Sequence, residues 1–413
     1  MTPYLKVLEL MIMSRGLVIL ICAVANMMII SVYQYSWSLY AYALIRELGW
    51  SPIETSLAFT IYVYLSTFIQ PLSGYLADTY GPRRLSTISS IIVGLGFMLS
   101  SIARSPTELY LTFGLGSLGV GILYGISTAS AVKWFPNRRG LATGVVTFGF
   151  GAGASVFNLP IQYIINEFGL KPAFTYVGAF MMLALVPTSY LITYPKQPLS
   201  GGSGSKSNNV GGAYQFKPIE MLRTWQWYVI YVTFIATPTT ALMFGAQLKL
   251  MATEFNIPAS YLNLMLVLFP LANGLSRVIA GFVSDRIGRE RTMVLFYSSL
   301  GSILLGLAYL CSVPEAFTLL AIMASLLSGA PYTFYPSIIG DYYGTKYATA
   351  NYGITYTAKA WSGLIAGWIT GYIVATYGTY KVALIVTAII TLIAALLSSP
   401  LILRPPRRIN IKE

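Results

Sequence analysis

Gly74-Tyr75-Leu76-Ala77-Asp78-Thr79-Tyr80-Gly81 returns 207 positions later as Gly281-Phe282-Val283-Ser284-Asp285-Arg286-Ile287-Gly288. Each octet has glycine at both ends and aspartate at its fifth position. Each ends a long apolar run and leads into arginines, Arg83 and Arg84 in one case, Arg289 and Arg291 in the other. A second landmark behaves the same way, because Phe168-Gly169 comes back as Tyr377-Gly378 at an offset of 209. Two unrelated landmarks with nearly equal spacing mean that the chain is one unit written twice.

The sequence around these landmarks says what the unit is made of. Of 413 residues, 56% are hydrophobic and 9% charged, with a mean hydropathy of +0.67, against roughly 25% charged in an ordinary soluble domain. Apolar stretches able to cross a core of about 30 Å, which takes roughly 20 helical residues, fall at 16–44, 53–77, 85–103, 107–133, 140–166, 172–194, 225–249, 258–284, 292–311, 316–340, 347–375 and 382–403. Barrel strands would alternate over about ten residues, whereas these runs are continuous and twice as long. The expected fold is an all-α membrane protein with twelve transmembrane helices in two six-helix bundles related by a pseudo-two-fold axis. The first run lacks a short apolar core followed by a small-residue cleavage site, so it is expected to be a retained helix. Leu199-Ser200-Gly201-Gly202-Ser203-Gly204-Ser205-Lys206-Ser207-Asn208-Asn209 has the composition of a flexible linker. The expected division is therefore 1–194, a cytoplasmic linker over 195–223, and 224–413.

Charge fixes an orientation and removes several functions. Cytoplasmic loops retain Lys and Arg, and with both termini inside, nineteen of the 26 basic residues lie in cytoplasmic loops and five (Arg46, Arg104, Lys171, Lys249, Lys381) outside. The formal net charge of +13 is dispersed over these short loops, which is not the clustered basic face that nucleic acid requires. The chain has no histidine, which removes imidazole ligands and Ser-His or Cys-His pairs. Cys22 and Cys311 lie inside apolar runs, so neither a disulfide framework nor a thiolate metal site is expected. The spans hold no paired carboxylates or metal cluster, so an enzyme, a metal and a cofactor are not expected.

Two basic residues remain inside the spans, Arg277 and Lys359, while every acidic residue from Glu9 to Glu413 lies in a loop or at a helix end. A charge at a helix centre costs about 2.5–3.5 kcal/mol on the insertion scale, so it faces a cavity and has a partner. With no protein carboxylate at that depth, an anionic cargo is the economical partner, held by a guanidinium fork and an ammonium. Helical spacing puts Tyr352, Tyr356 and Lys359 on one face and Asn273 one turn before Arg277. Tyr33, Trp37 and Tyr40 form a stripe on the first helix, and Tyr124, Tyr332 and Tyr335 add phenols. Each of these aromatics has a second reading, as a helix contact or interface residue. Gly149, Gly151 and Gly153, with Pro160, read as sites of close helix packing or as a gate.

The G-x-x-x-D-x-x-G loop after the second and eighth helices resembles the signature of the major facilitator superfamily, and the resemblance covers the whole chain. Within it the sequence resembles the oxalate:formate antiporter family, close to the monocarboxylate carriers. The residues that carry this are Gln34-Tyr35-Ser36-Trp37-Ser38-Leu39-Tyr40-Ala41, Tyr124, Lys133-Trp134-Phe135-Pro136-Asn137-Arg138-Arg139-Gly140, Asn273-Gly274-Leu275-Ser276-Arg277, and Asn351-Tyr352-Gly353 through Thr357-Ala358-Lys359. The resemblance implies that Arg277 and Lys359 bind carboxylates. It also implies that Asp78 with Arg83, and Asp285 with Arg289, are conformational latches between the halves. Ser328 and Tyr356 stand where the oxalate carrier has tryptophans, so the aromatic box differs. The implied activity is exchange of oxalate, formate or a similar carboxylate by one chain rocking in the cell membrane. The alternative is proton-coupled uptake of a monocarboxylate such as lactate or pyruvate, in whose carriers an aspartate occupies the position of Asn273.

Overall fold

The computed structural model describes residues 3–135, 139–195, 215–344 and 347–406, with side chains from Arg15 onward except those of Asp78, Arg139 and Thr349. Among the described residues every regular element is helical. The first crossing is α1 (Pro3–Ile30), α2 (Val32–Tyr35) and α3 (Trp37–Leu48). The second is α4 (Pro52–Tyr80), the third α5 (Pro82–Leu99), the fourth α6 (Pro106–Trp134), the fifth α7 (Arg139–Ala152) with α8 (Ala154–Phe168), and the sixth α9 (Leu170–Leu191). A short helix, α10 (Pro218–Met221), precedes the seventh crossing, α11 (Trp225–Ala236) with α12 (Thr239–Glu254). The eighth is α13 (Ala259–Ile287), the ninth α14 (Arg289–Tyr309), and the tenth α15 (Pro314–Ser328) with α16 (Pro331–Tyr343). The eleventh is α17 (Ala348–Tyr356), α18 (Ala358–Leu364) and α19 (Thr370–Tyr377), and the twelfth is α20 (Tyr380–Leu397).

The repeat read from the sequence has a backbone cause. Gly81 and Gly288 join the second crossing to the third and the eighth to the ninth with φ of 85° and 93°, and Gly169 and Gly378 adopt φ of 86° and 69° before the sixth and twelfth. These are conformations in which a side chain is strained, so glycine is retained at the same turn in both copies. Packing repeats as well: α5 lies on α9 and α4 on α6 in the first half, as α14 lies on α20 and α13 on α15 in the second. So does an interaction the sequence pattern did not reveal. Glu47, just inside the end of α3, accepts from the Leu170 amide at 3.2 Å, and Glu254, at the end of α12, accepts from the Tyr380 amide at 3.0 Å. In each half a carboxylate from the first helix thus caps the free amides of the sixth, where the helix dipole favours negative charge.

Ten of the helical stretches among the described residues are long and apolar enough to cross a membrane by themselves. The two further runs expected at 53–77 and 347–375 fall in α4 and in α17–α19. Both are rich in Ser, Thr and Tyr, and the eleventh crossing is interrupted at Thr357. The physical reason is their position. These two crossings face each other across the seam between the halves, where a helix need not match lipid. The other main seam pairs are α7 and α8 with α13, and α2 and α3 with α12.

Of the expected linker 195–223, residues 196–214 lie outside those described. Its far end is packed: the Phe216 amide donates to the Tyr343 carbonyl at 3.0 Å, its carbonyl accepts from Asn351 Nδ2 at 3.1 Å, and its ring is buried in the second half. Phe216 is thus an anchored residue of the second bundle.

Close approach of helices sets the steric limits of the fold. A methyl group added at Gly96 would meet the Gly116 backbone nitrogen at 2.5 Å and its Cα at 2.6 Å, with no flexible atom to yield, whereas Gly74 has nothing within 4 Å. Gly96→Leu is therefore expected to destabilise the first half by about 1–3 kcal/mol or more. Gly74→Ala should be neutral. Melting of the detergent-purified protein, followed by intrinsic fluorescence, measures the difference.

Candidate functional site

Five crossings are interrupted near their middles: the first over Ser31–Ser36, the fifth at Gly153, the seventh at Thr237–Pro238, the tenth at Gly329–Ala330 and the eleventh at Thr357. The fifth and eleventh are counterparts in the repeat, as are the first and seventh. Broken helices let side chains and backbone groups converge on a point between two bundles, and the expected site residues gather there.

Arg277 and Lys359 are both buried, at 4% and 3% exposure. Neither reaches water at the rim, and among the described residues neither has a carboxylate partner; the ion pairs found there are Arg46–Glu47, Arg289–Asp285 and Arg289–Asp341. Arg277 Nη1 donates to the Thr147 carbonyl of α7 at 2.8 Å, across the seam, and its guanidinium carbon lies 4.8 Å from the centre of the Tyr332 ring. Lys359 Nζ sits 5.7, 5.9 and 5.8 Å from the ring centres of Phe150, Tyr332 and Tyr356. Ring faces attract a cation by about 0.5–2 kcal/mol each, which offsets part of the desolvation cost without neutralising the charge. Both cations stand over the Tyr332 ring, so they also repel one another.

The polar groups around them are mostly donors in want of an acceptor. Tyr35 donates to Asn273 Oδ1 at 2.9 Å, joining the first and eighth crossings, and this turns Asn273 Nδ2 loose. Asn273 Nδ2, Arg277 Nε and the hydroxyls of Tyr332 and Tyr356 are buried and have no hydrogen-bond partner. Leaving such groups unpaired costs about 1–3 kcal/mol each. Two positive charges with a surplus of donors make a place where an oxyanion satisfies several groups at once and from which a cation is repelled.

Tyr124 belongs to the same cluster, 6.3 Å from Tyr356 and 5.2 Å from Phe150, centre to centre. Tyr33 and Trp37 pack to one side of it. Tyr33 donates to the Val93 carbonyl at 2.9 Å and stacks on Phe113 at 4.7 Å, and Trp37 packs on Phe113 at 4.5 Å. Both are fully buried and pack within the first half, and the Trp37 indole N–H has no hydrogen-bond partner there. Period 3.6 had placed them on a common face but not said which neighbour that face meets.

Phe150 was missed, because it sits among Gly149, Gly151 and Gly153 and the run reads as packing. Packing is indeed there, since a methyl at Gly151 would meet Gly274 Cα at 2.6 Å. That approach brings Phe150 and Thr147 up to Lys359 and Arg277. Gln34 was quoted only as part of a motif, yet its side chain is buried with both amide atoms unpaired. Ser328 donates to the Ser325 carbonyl at 3.3 Å within its own helix.

The residues expected to act as latches lie elsewhere, at the Gly81 and Gly288 turns. The Asp78 side chain is outside those described. Arg83 has its guanidinium carbon 4.8 Å from the Tyr190 ring centre. Asp285 pairs with Arg289 at 2.6 Å, and Arg289 also reaches Asp341 of α16 at 3.2 Å and donates to Ser284 at 2.5 Å. In this conformation that cluster ties three helices of the second half together, with Asp341 a member the motif did not include.

The Major Facilitator Superfamily profile matches residues 19–246 and again 228–412. The chain is 32% identical to the oxalate:formate antiporter of Oxalobacter formigenes over 95% of its own length and 92% of that protein's. It is 24% identical to monocarboxylate transporter 13 of Bos taurus, covering 79% of this chain and 75% of the relative. It is 30% identical to a probable nitrate/nitrite antiporter of Thermus thermophilus, covering 67% and 62%.

Asn273→Asp would place a carboxylate one turn from Arg277 and supply the missing counter-ion internally. Thermal stabilisation by added oxalate is expected to require at least tenfold more ligand in this variant, the equivalent of about 1.4 kcal/mol. Tyr33→Phe should lower the melting point, having lost one buried hydrogen bond worth about 1 kcal/mol, while leaving the ligand concentration for half-maximal stabilisation unchanged.

Proposed function

This chain is a member of the major facilitator superfamily, in the group of the oxalate:formate antiporter, and on that premise we propose that it exchanges small carboxylates across a membrane. The observation that carries the reading is the pair Arg277 and Lys359, buried, without carboxylate partners among the described residues, and surrounded by unpaired donors. Arg277 binds one carboxylate through its fork, Lys359 the other end of the cargo, and Tyr35, Tyr124, Tyr332, Tyr356 and Asn273 supply hydroxyl and amide contacts. The rings of Phe150, Tyr332 and Tyr356 form the apolar walls. The relatives named for oxalate, formate, monocarboxylates and nitrate or nitrite all take small anions by name, which supports the class of cargo.

Exchange follows from electrostatics. Closing both faces around an empty site leaves two unpaired positive charges in a low dielectric, at about 2.5–3.5 kcal/mol each on the insertion scale. A bound dicarboxylate cancels both, and the loaded carrier reorients faster than the empty one. Proton coupling is the weaker reading, because Asn273 offers no carboxyl to titrate beside Arg277. Transport by a single chain in the cell membrane, with both ends cytoplasmic, completes the proposal. It is supported by nineteen basic residues assigned to one side against five on the other.

Proteoliposomes preloaded with unlabelled oxalate are expected to take up labelled oxalate at least tenfold faster than empty ones, and equal rates would contradict obligatory exchange. Arg277→Gln should abolish counterflow of oxalate and of formate alike. Lys359→Gln should reduce oxalate exchange at least tenfold more than formate exchange. Parallel losses for both substrates in both variants would show that the two cations are not divided in this way.

A further inference from the structure

The eleventh crossing contains one π turn, Ile365–Ile369, six residues beyond Lys359. Such a turn holds one residue more than the α register and is found frequently at functional sites. Around it three glycines recur at every fourth position, Gly363, Gly367 and Gly371, and all three face α4 of the other half. A methyl group at Gly363 would meet Val63 Cβ at 2.5 Å, one at Gly371 would meet Ser56 Oγ at 2.7 Å, and one at Gly367 would overlap Thr60 Oγ1. Gly367 is therefore the gap that the Thr60 hydroxyl occupies.

That hydroxyl is bonded across the seam. Thr60 is 4% exposed; its Oγ1 accepts from the backbone amide of Trp368, inside the π turn, at 2.9 Å, and lies 3.3 Å from the Gly363 carbonyl and 3.1 Å from the carbonyl of Ser56. One turn along, Gln247 donates to Ser56 at 2.8 Å and accepts from Tyr380 at 2.9 Å, extending the polar seam to the seventh and twelfth crossings. All of these contacts lie between the centre and the face opposite the Gly81 and Gly288 turns.

We propose that Thr60 is the key of a lock that holds this face closed. Seated in the π turn, its hydroxyl takes up an amide that the irregular helix presents sideways, and it can leave only if the two halves part. On parting, the turn regains regular α hydrogen bonding, so the lock is coupled to a change of helix register. Thr60 acts by positioning the eleventh crossing and does not contact cargo. The inference depends on the geometry of the seam and not on the identity of what is carried.

The test uses the full-length protein in proteoliposomes with Val63→Cys as reporter, since Val63 is fully buried against Gly363 and the native Cys22 and Cys311 are also buried. A membrane-impermeant maleimide reads how often the face opens, with no substrate present. Thr60→Val, which keeps the shape and removes the acceptor, is expected to raise the labelling rate at least fivefold. Gly367→Ala, which expels the hydroxyl from the opposite side, should do the same. Thr60→Ser, which retains the hydroxyl, should stay within twofold of the parent. Labelling by Thr60→Val or Gly367→Ala within twofold of the parent overturns the proposal, as does Thr60→Ser reacting as fast as Thr60→Val. Should Thr60→Val not fold, the Gly367→Ala and Thr60→Ser pair decides by the same thresholds.

Discussion

Everything in the centre of this molecule is arranged around two like charges that the fold buries together and does not neutralise. A guanidinium and an ammonium share one tyrosine ring, and the aromatic walls relieve only part of their desolvation. The surrounding hydroxyls and amides point donors inward and leave them unpaired. A soluble core would remove such a site by substitution, because a buried polar group without a partner is destabilising. Here the instability is localised at the meeting point of five interrupted helices, which is where a transporter of this superfamily works by moving.

The seam between the halves follows from the same constraint. The site draws Tyr35, Tyr124, Thr147 and Phe150 from one half and Asn273, Arg277, Tyr332, Tyr356 and Lys359 from the other, so the halves must approach closely at its level. Gly151 against Gly274 and the glycines of the eleventh crossing against α4 make that approach possible. Hydrogen bonds such as Tyr35 to Asn273 and Arg277 to Thr147 then span it. These are few and separable, whereas the contacts within each half are continuous.

Much of this was legible in the residues themselves. Left-handed glycines at 81 and 288 and at 169 and 378 made the duplication visible, because a backbone requirement cannot drift. Arg277 and Lys359 stood out because a charge in an apolar run has no cheap explanation. What could not be read was which face of a helix meets which neighbour. Tyr33 and Tyr35 are two residues apart in the short helix α2, about half a turn around its axis, so one points into the first half and the other reaches Asn273. Phe150 was hidden by the glycines that deliver it, and α4 and α17–α19 were less apolar than a lone span requires because they lean on each other. The signature aspartate at 285 was legible, but not its link through Arg289 to Asp341, which lies more than fifty positions away.

The glutamates that cap the sixth helix of each half carry a wider implication. Glu47 and Glu254 tie the end of the first helix of each half to the start of its last, so the same edge of each group of six is fastened by a carboxylate. Fastened in this way at matching edges, each half meets its twin chiefly along the strip where α3, α4, α7 and α8 touch α12, α13 and the eleventh crossing.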